Sequence, residues 1–268
     1  MRTYVTIGGG TFFDPVMRIL SVNLENGNVD VAFSANNEVY GLSTKGFTGL
    51  ARDRNGFVAV SEAELFRFDE KFALEKRLTK PFFNDVHHIS WSEKNSRYYV
   101  ANTGLDTVEV LKGDCSFEKS FSLITARDYK RCLKTSLSRL RQHLQSKNKC
   151  PLTFEDFRYK NLVDDTFLPN LQKALWHSRF RSRRRDYRYS LLRPHVVHPN
   201  HVTEICGEAI VTLKNPGEIR SLVNNDVLVR GLSGPHDGCL SNNIFLVTES
   251  GNGCLTYSRD ISSLAHFE

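Results

Sequence analysis

Three segments of the chain share one layout: Val86-His87-His88-Ile89, Pro199-Asn200-His201-Val202 and Pro235-His236-Asp237-Gly238. Each is a pair of polar, ligand-capable residues at the head of a strand pattern. A second strand pattern follows each closely: Tyr98–Asn102, Ala209–Leu213 and Phe245–Glu249. A fainter copy, Phe47-Thr48-Gly49-Leu50 followed by Gly56–Glu62, lies upstream. With Leu50, Ile89, Val202 and Gly238 taken as equivalent, the spacings are 39, 113 and 36 residues, and the middle one falls to 46 if 67 residues are an insertion. A period near 40 residues with four short strands per unit predicts a β-propeller. A sandwich also gives many short strands, but it does not repeat a polar pair in register.

Turn chemistry joins the strands. Ile19–Leu24, Glu25-Asn26-Gly27-Asn28 and Val29–Phe33 read as a hairpin on an Asn-Gly turn, and Thr107–Leu111, Lys112-Gly113-Asp114 and Phe117–Leu123 repeat that layout. The first unit starts at its second strand, Tyr4–Ile7, and the last stops after its third, Gly253–Tyr257. About five blades are therefore in view, and the ring is either incomplete or closed in an unusual way. The expected fold is all-β. Residues 1–126 form the N-terminal propeller blades, 127–193 a basic α-helical insertion, and 194–268 the C-terminal blades.

The insertion has a helical period. Leu133, Leu137, Leu140 and Leu144 form one stripe of an amphipathic helix, and Thr153-Phe154-Glu155-Asp156 resembles a capped helix start. Leu168, Leu171 and Leu175 suggest a third helix running into an Arg-rich stretch, 179–188, interleaved with Phe180, Tyr187 and Tyr189. Residues 127–193 hold 18 Lys/Arg against 6 Asp/Glu, leaving 18 against 24 elsewhere, so a mildly acidic body carries one strongly basic segment. Such a run suits a small anionic ligand, a protein partner or an anionic membrane surface, with nucleic acid less favoured. It equally suits a solvated helix face paired with the acidic body. The segment rejoins the body at Leu191–His198, beside the polar pairs. Arg183, Arg184 and Arg185 are therefore candidates to hold a carboxylate or phosphate over the tunnel mouth.

In a propeller the inner strand of each blade lines the tunnel and starts at one mouth, where the next strand ends. Aligned on the residue that follows, the first polar column is Thr48, His87, Asn200 and His236, and the second is Gly49, His88, His201 and Asp237. The ends of the second strands add Glu62, Asn102, Leu213 and Glu249. Successive strand residues face opposite sides, so one column is expected to point into the tunnel. The first is favoured, with His87 and His236 as the central pair. Imidazole and carboxylate in a concave site suit acid–base work or a divalent metal, a transition metal slightly more than calcium. The expected catalytic groups are His87, His236 and Asp237, and the expected metal ligands His87, Asn200 and His236. Asn200, His88, His201, Asn102 and Glu249 are expected to bind the ligand. The plainer alternative is that these side chains tie the strand starts together.

Asn84-Asp85-Val86 and Pro199-Asn200-His201-Val202 resemble the strand starts of six-bladed propellers of the SMP-30/gluconolactonase, strictosidine-synthase-like and NHL-repeat groups, and Tyr98–Val110 is similar to their second and third strands. The resemblance covers the chain outside the insertion. It implies a propeller fold and, from the lactonase-type relatives, an Asn at a metal site in the tunnel mouth, here Asn200. His87 and His236 stand where those enzymes usually carry Asn or Asp, and His201 replaces their glycine, which argues against a calcium lactonase.

No GxSxG, HExxH, P-loop or cysteine–metal spacing occurs, and Gly8-Gly9-Gly10 reads as a blade turn. The six cysteines show no CxxC pair and read as free thiols of a reducing compartment. Cys239 and Cys254 are expected to be buried small hydrophobes. The N-terminus runs straight into a strand pattern without the apolar stretch of a secretory signal, and no stretch approaches a membrane span. A cytoplasmic protein is expected. Two functional readings follow: a metal-dependent hydrolase or lyase acting on an anionic small molecule at the tunnel mouth, or a non-catalytic scaffold recruiting an anionic partner through its basic insertion.

Overall fold

The structure is a computed structural model that describes residues 2–7, 16–36, 38–39, 42–43, 46–80, 82–124, 196–205, 207–241 and 244–258. The first sheet runs β1 (Arg2–Ile7), β2 (Val16–Asn23) and β3 (Val29–Asn36), followed by a small hairpin, β4 (Glu38–Val39) and β5 (Leu42–Ser43). The second is β6 (Phe47–Asp53), β7 (Gly56–Ser61), β8 (Glu64–Phe68) and β9 (Leu74–Thr79). The third is β10 (Val86–Ser92), β11 (Arg97–Asn102), β12 (Thr107–Lys112) and β13 (Phe117–Ser122), with a 3₁₀ turn, Thr103–Leu105, after β11. The fourth is β14 (Pro199–Ile205), β15 (Glu208–Leu213), β16 (Glu218–Ser221) and β17 (Val227–Val229), and the fifth β18 (Cys239–Ser241), β19 (Ile244–Glu249) and β20 (Cys254–Ser258). In every sheet the strands lie in chain order.

Burial on both faces explains this arrangement. The second strands, GFVAVS in β7 and RYYVAN in β11, are buried along almost their whole length. Their alternate side chains enter different seams, as the period-2 geometry of a strand requires. Val58 and Val60 join Ile89, Tyr98, Val100 and Leu111 between the second and third sheets. Phe57 and Ala59 turn the other way, to Met17 and Ile19 of the first sheet. Tyr99 and Ala101 pack against Val202, Val211 and Leu213 of the fourth sheet, and Ile210 and Ile219 meet Phe245 and Val247 of the fifth. Each fully buried aliphatic or aromatic side chain contributes about 1.5–3 kcal/mol. Sheets stacked face to face in chain order, each seam filled from both sides, are the blades of a β-propeller.

The inner strands stand side by side: β6 beside β10, and β10 beside β14. β1 lies beside β6, so it takes the inner position of the first sheet, not the second position expected for Tyr4–Ile7. Arg2-Thr3 at its head carries none of the His, Asn or Asp residues that mark β10, β14 and the start of the fifth sheet. The fifth sheet ends on its third strand among the described residues, as expected. The Asn-Gly hairpin joins β2 to β3, with Gly27 N–H donating to Asn23 O at 2.8 Å. Cys115 is buried, but Cys239 and Cys254 are exposed, contrary to expectation. Both belong to the fifth sheet, whose β20 forms an edge among the described residues. The helices expected within 127–193, the arginines Arg183, Arg184 and Arg185, and Gly8-Gly9-Gly10 lie outside the described residues. Among those described, no helix is long and apolar enough to cross a membrane.

Candidate functional site at the strand starts

Four inner strands begin in the same way. Phe47 faces Ser61 but Gly49 faces Val60; Val86 faces Asn102 but His88 faces Ala101; Pro199 faces Leu213 but His201 faces Thr212. The fifth sheet repeats the one-residue slip between the Pro235–Glu249 bridge and the Cys239–Leu246 pair. A β-bulge leaves one residue outside the ladder and turns the strand locally. The extra residues are Thr48, His87 and Asn200, with His236 at the corresponding place. The strict alternation behind a single tunnel-facing column therefore breaks at this level. Ser61, not Glu62, is the second-strand residue in register. Two residues before each bulge position the backbone is left-handed, at Gly46 (φ 49°), Asp85 (52°), His198 (54°) and Gly234 (58°).

The bulged side chains run sideways from sheet to sheet. Thr48 Oγ1 donates to Val86 O at 2.7 Å, and Asn200 Nδ2 donates to Pro235 O at 3.2 Å. That donation turns Asn200 Oδ1 toward His87 Nδ1, 3.0 Å away, so Nδ1 carries a hydrogen. His87 Nε2 lies 3.3 Å from Asp85 Oδ1, and its ring meets the His198 ring nearly edge-on at 5.2 Å. His236 sits across the next seam. Its pKa is lowered by burial and by Lys214, opposed by Asp237, and lowered further by His87. His87, His198 and His236 thus come from three consecutive sheets to one mouth. Asn200 is buried and supports them, while the His87 side chain keeps 18 % of its surface exposed.

Two members of the second column, His88 and His201, lie in the seam between the third and fourth sheets. They stack with ring centroids 3.7 Å apart. Val202 N–H donates to His88 Nδ1 at 3.4 Å, which leaves the hydrogen on Nε2. Burial, then His201, push the His88 pKa well below the usual imidazole range. Burial brings His201 down to about 4 against the opposing pull of Asp237. Two neutral rings are the result. Asp237 itself is exposed, and its carboxylate accepts from Thr248 Oγ1 at 2.6 Å.

Asn102 and Glu249 are placed differently from the histidines. Asn102 is fully buried; its Oδ1 accepts from Asn84 N–H, and its Nδ2 donates to Phe82 O, Thr107 Oγ1 and Glu109 Oε1. Glu249 accepts from Ser233 N–H and Thr256 Oγ1. Both hold turns together at the mouth. Asp106 carries no signal in the sequence, because an Asp closing a Thr-Gly-Leu turn is ordinary turn chemistry. Its carboxylate accepts from Val196, Val197 and His198 N–H at 2.8, 3.0 and 2.9 Å.

Among the described residues no three His, Cys, Asp or Glu side chains group to hold a metal ion. Within the expected ligand trio, His87 Nδ1 and Asn200 Oδ1 are turned toward each other. Thr48 and Asn200 spend their side chains on bonds between sheets, whereas His87 and His236 are partly exposed.

No protein-family model and no curated protein sequence matches the chain. Similar solved structures include a protein of unknown function from Bacteroides caccae, 11 % identical over 96 % of this chain and 69 % of the other, with a TM-score of 0.54. A structure described as a nidogen/laminin complex is 11 % identical over 97 % of this chain and 74 % of that one, with a TM-score of 0.53. Such identities speak for the fold alone. The resemblance seen in the sequence holds at the level of the propeller, not of the SMP-30 or NHL groups.

Proposed function

We propose that the chain is a binding propeller that receives an anionic partner at the mouth where the inner strands begin. One observation carries the reading: Asp106 holds together the stretches of chain that flank the basic segment on either side. Its main-chain oxygen accepts from Leu123 N–H at 3.1 Å, and its carboxylate accepts from three successive N–H groups at Val196–His198. Charge-assisted bonds of this kind are strong and directional. The chain on either side of residues 127–193, which hold 18 Lys/Arg, is therefore tied together beside His198, whose ring meets that of His87. A block of positive charge in an otherwise mildly acidic chain draws carboxylates or phosphates.

Such binding releases counterions and weakens with salt. The full chain is to be titrated with a polyglutamate peptide and with a single-stranded RNA oligomer at low and high salt. The expected result is binding that falls roughly tenfold or more between them. Deleting 127–193, or replacing Arg183, Arg184 and Arg185 with Ala in the full chain, is expected to remove it. Binding that ignores salt and both variants contradicts the reading. Preference for the peptide identifies a protein partner, and preference for RNA a nucleic acid.

A hydrolase or lyase acting on a small anionic molecule is the second reading. It is favoured by His87, held by Asn200 beside Asp85 and partly exposed, with His236 in electrostatic reach and Lys214 acting in turn on His236. Imidazoles so held suit acid–base work. In that case folded His87→Ala and His236→Ala variants lose ligand binding, and with it any metal found by elemental analysis; variants that lose neither remove this reading.

A further inference from the structure

The geometry points to Asp85 and His198 as positioning residues for His87. The inner strands supply their own comparison. Two residues ahead of the bulge position the chain is left-handed in four sheets. In two of them the residue is glycine, Gly46 and Gly234, which meets no Cβ penalty there. In the other two it is Asp85 and His198. Asp and His enter this region more readily than most side chains, yet each still meets a penalty that glycine avoids.

Both exceptions reach the same ring. Asp85 Oδ1 lies 3.3 Å from His87 Nε2, and the His198 ring stands against that of His87 at 5.2 Å. Asn200 Oδ1 faces Nδ1 at 3.0 Å. His87 is thus approached from its own strand start and from the neighbouring sheet, while part of it stays open to the mouth. At the glycine-headed second sheet the bulged residue, Thr48, instead donates to the main chain of the next sheet. A side chain is present where the backbone favours glycine in the two sheets that surround His87. Strain of this kind is retained where a group must be held in one orientation.

This inference rests on the mouth being the binding site, and its test reads the ring instead of the ligand. Long-range proton–nitrogen spectra of the full chain give the hydrogen position on each imidazole, with His87 assigned by the signals missing in His87→Gln. The parent is expected to show one fixed hydrogen pattern on the His87 ring, set by Asn200 Oδ1 at Nδ1 and by the Asp85 carboxylate at Nε2. His198→Gly and Asp85→Asn are expected to lose that fixed pattern, while their melting midpoints stay within about 4 °C of the parent. An unchanged His87 pattern in both variants overturns the inference, whether or not they are less stable. Polyglutamate binding by the same variants keeps the two claims apart. A lost pattern with binding retained supports the positioning role and counts against the mouth as the binding site. A fixed pattern with binding lost does the reverse.

Discussion

His88 and His201 stack across one seam, and burial keeps both imidazoles neutral. The consequence for stability has a definite sign. His201 has a folded pKa of about 4 against the usual imidazole value of 6.5, so as pH falls below 6.5 the unfolded chain takes up the proton first. Stability is therefore lost between pH 6.5 and 4, by about 2 kcal/mol at pH 5 from this residue. His201→Gln removes that loss. Urea unfolding at pH 7 and pH 5 is expected to show a smaller drop for the variant than for the parent, and equal drops contradict the assignment. The sequence revealed these histidines and their register, because each heads a strand. It did not reveal that one pair stacks while another faces the mouth, since burial depends on the next sheet, more than 100 residues away in the chain.

At the scale of strands and turns, the repeat was legible and the bulge was not. A polar pair in constant register identifies the inner strands, but the extra residue is itself the first of that pair, so the sequence carries no separate mark of the bulge. The turn after β11 shows how closely these starts are fitted. A Cβ on Gly104 would lie 2.1 Å from Asn84 Oδ1 and 2.5 Å from Asn84 O, the atom to which Gly104 N–H donates at 2.9 Å. Asn84 precedes Asp85, so the strain passes to the His87 neighbourhood. Gly104→Ala is expected to lose about 2 kcal/mol or more in urea unfolding. A loss below about 0.5 kcal/mol would show that the turn relaxes freely.

Across the whole molecule, the period of the strand starts and the segregation of charge survive in the linear sequence because both are repeats or blocks. Ring position is not so recorded: β1 carries no His, Asn or Asp at its head, and only its place beside β6 shows it to be an inner strand. The anchoring of the chain that flanks the basic segment was equally hidden, because Asp106 and Val196 are joined only by folding. The account therefore centres on one mouth, shared by those flanking stretches and by His87, His198 and His236. The most direct test is a histidine proton–nitrogen spectrum of the full chain, recorded as polyglutamate is added at low salt. The account predicts that the His87, His198 and His236 signals move in proportion to bound peptide while those of His88 and His201 stay in place. Peptide binding that leaves all three mouth histidines unmoved would contradict it.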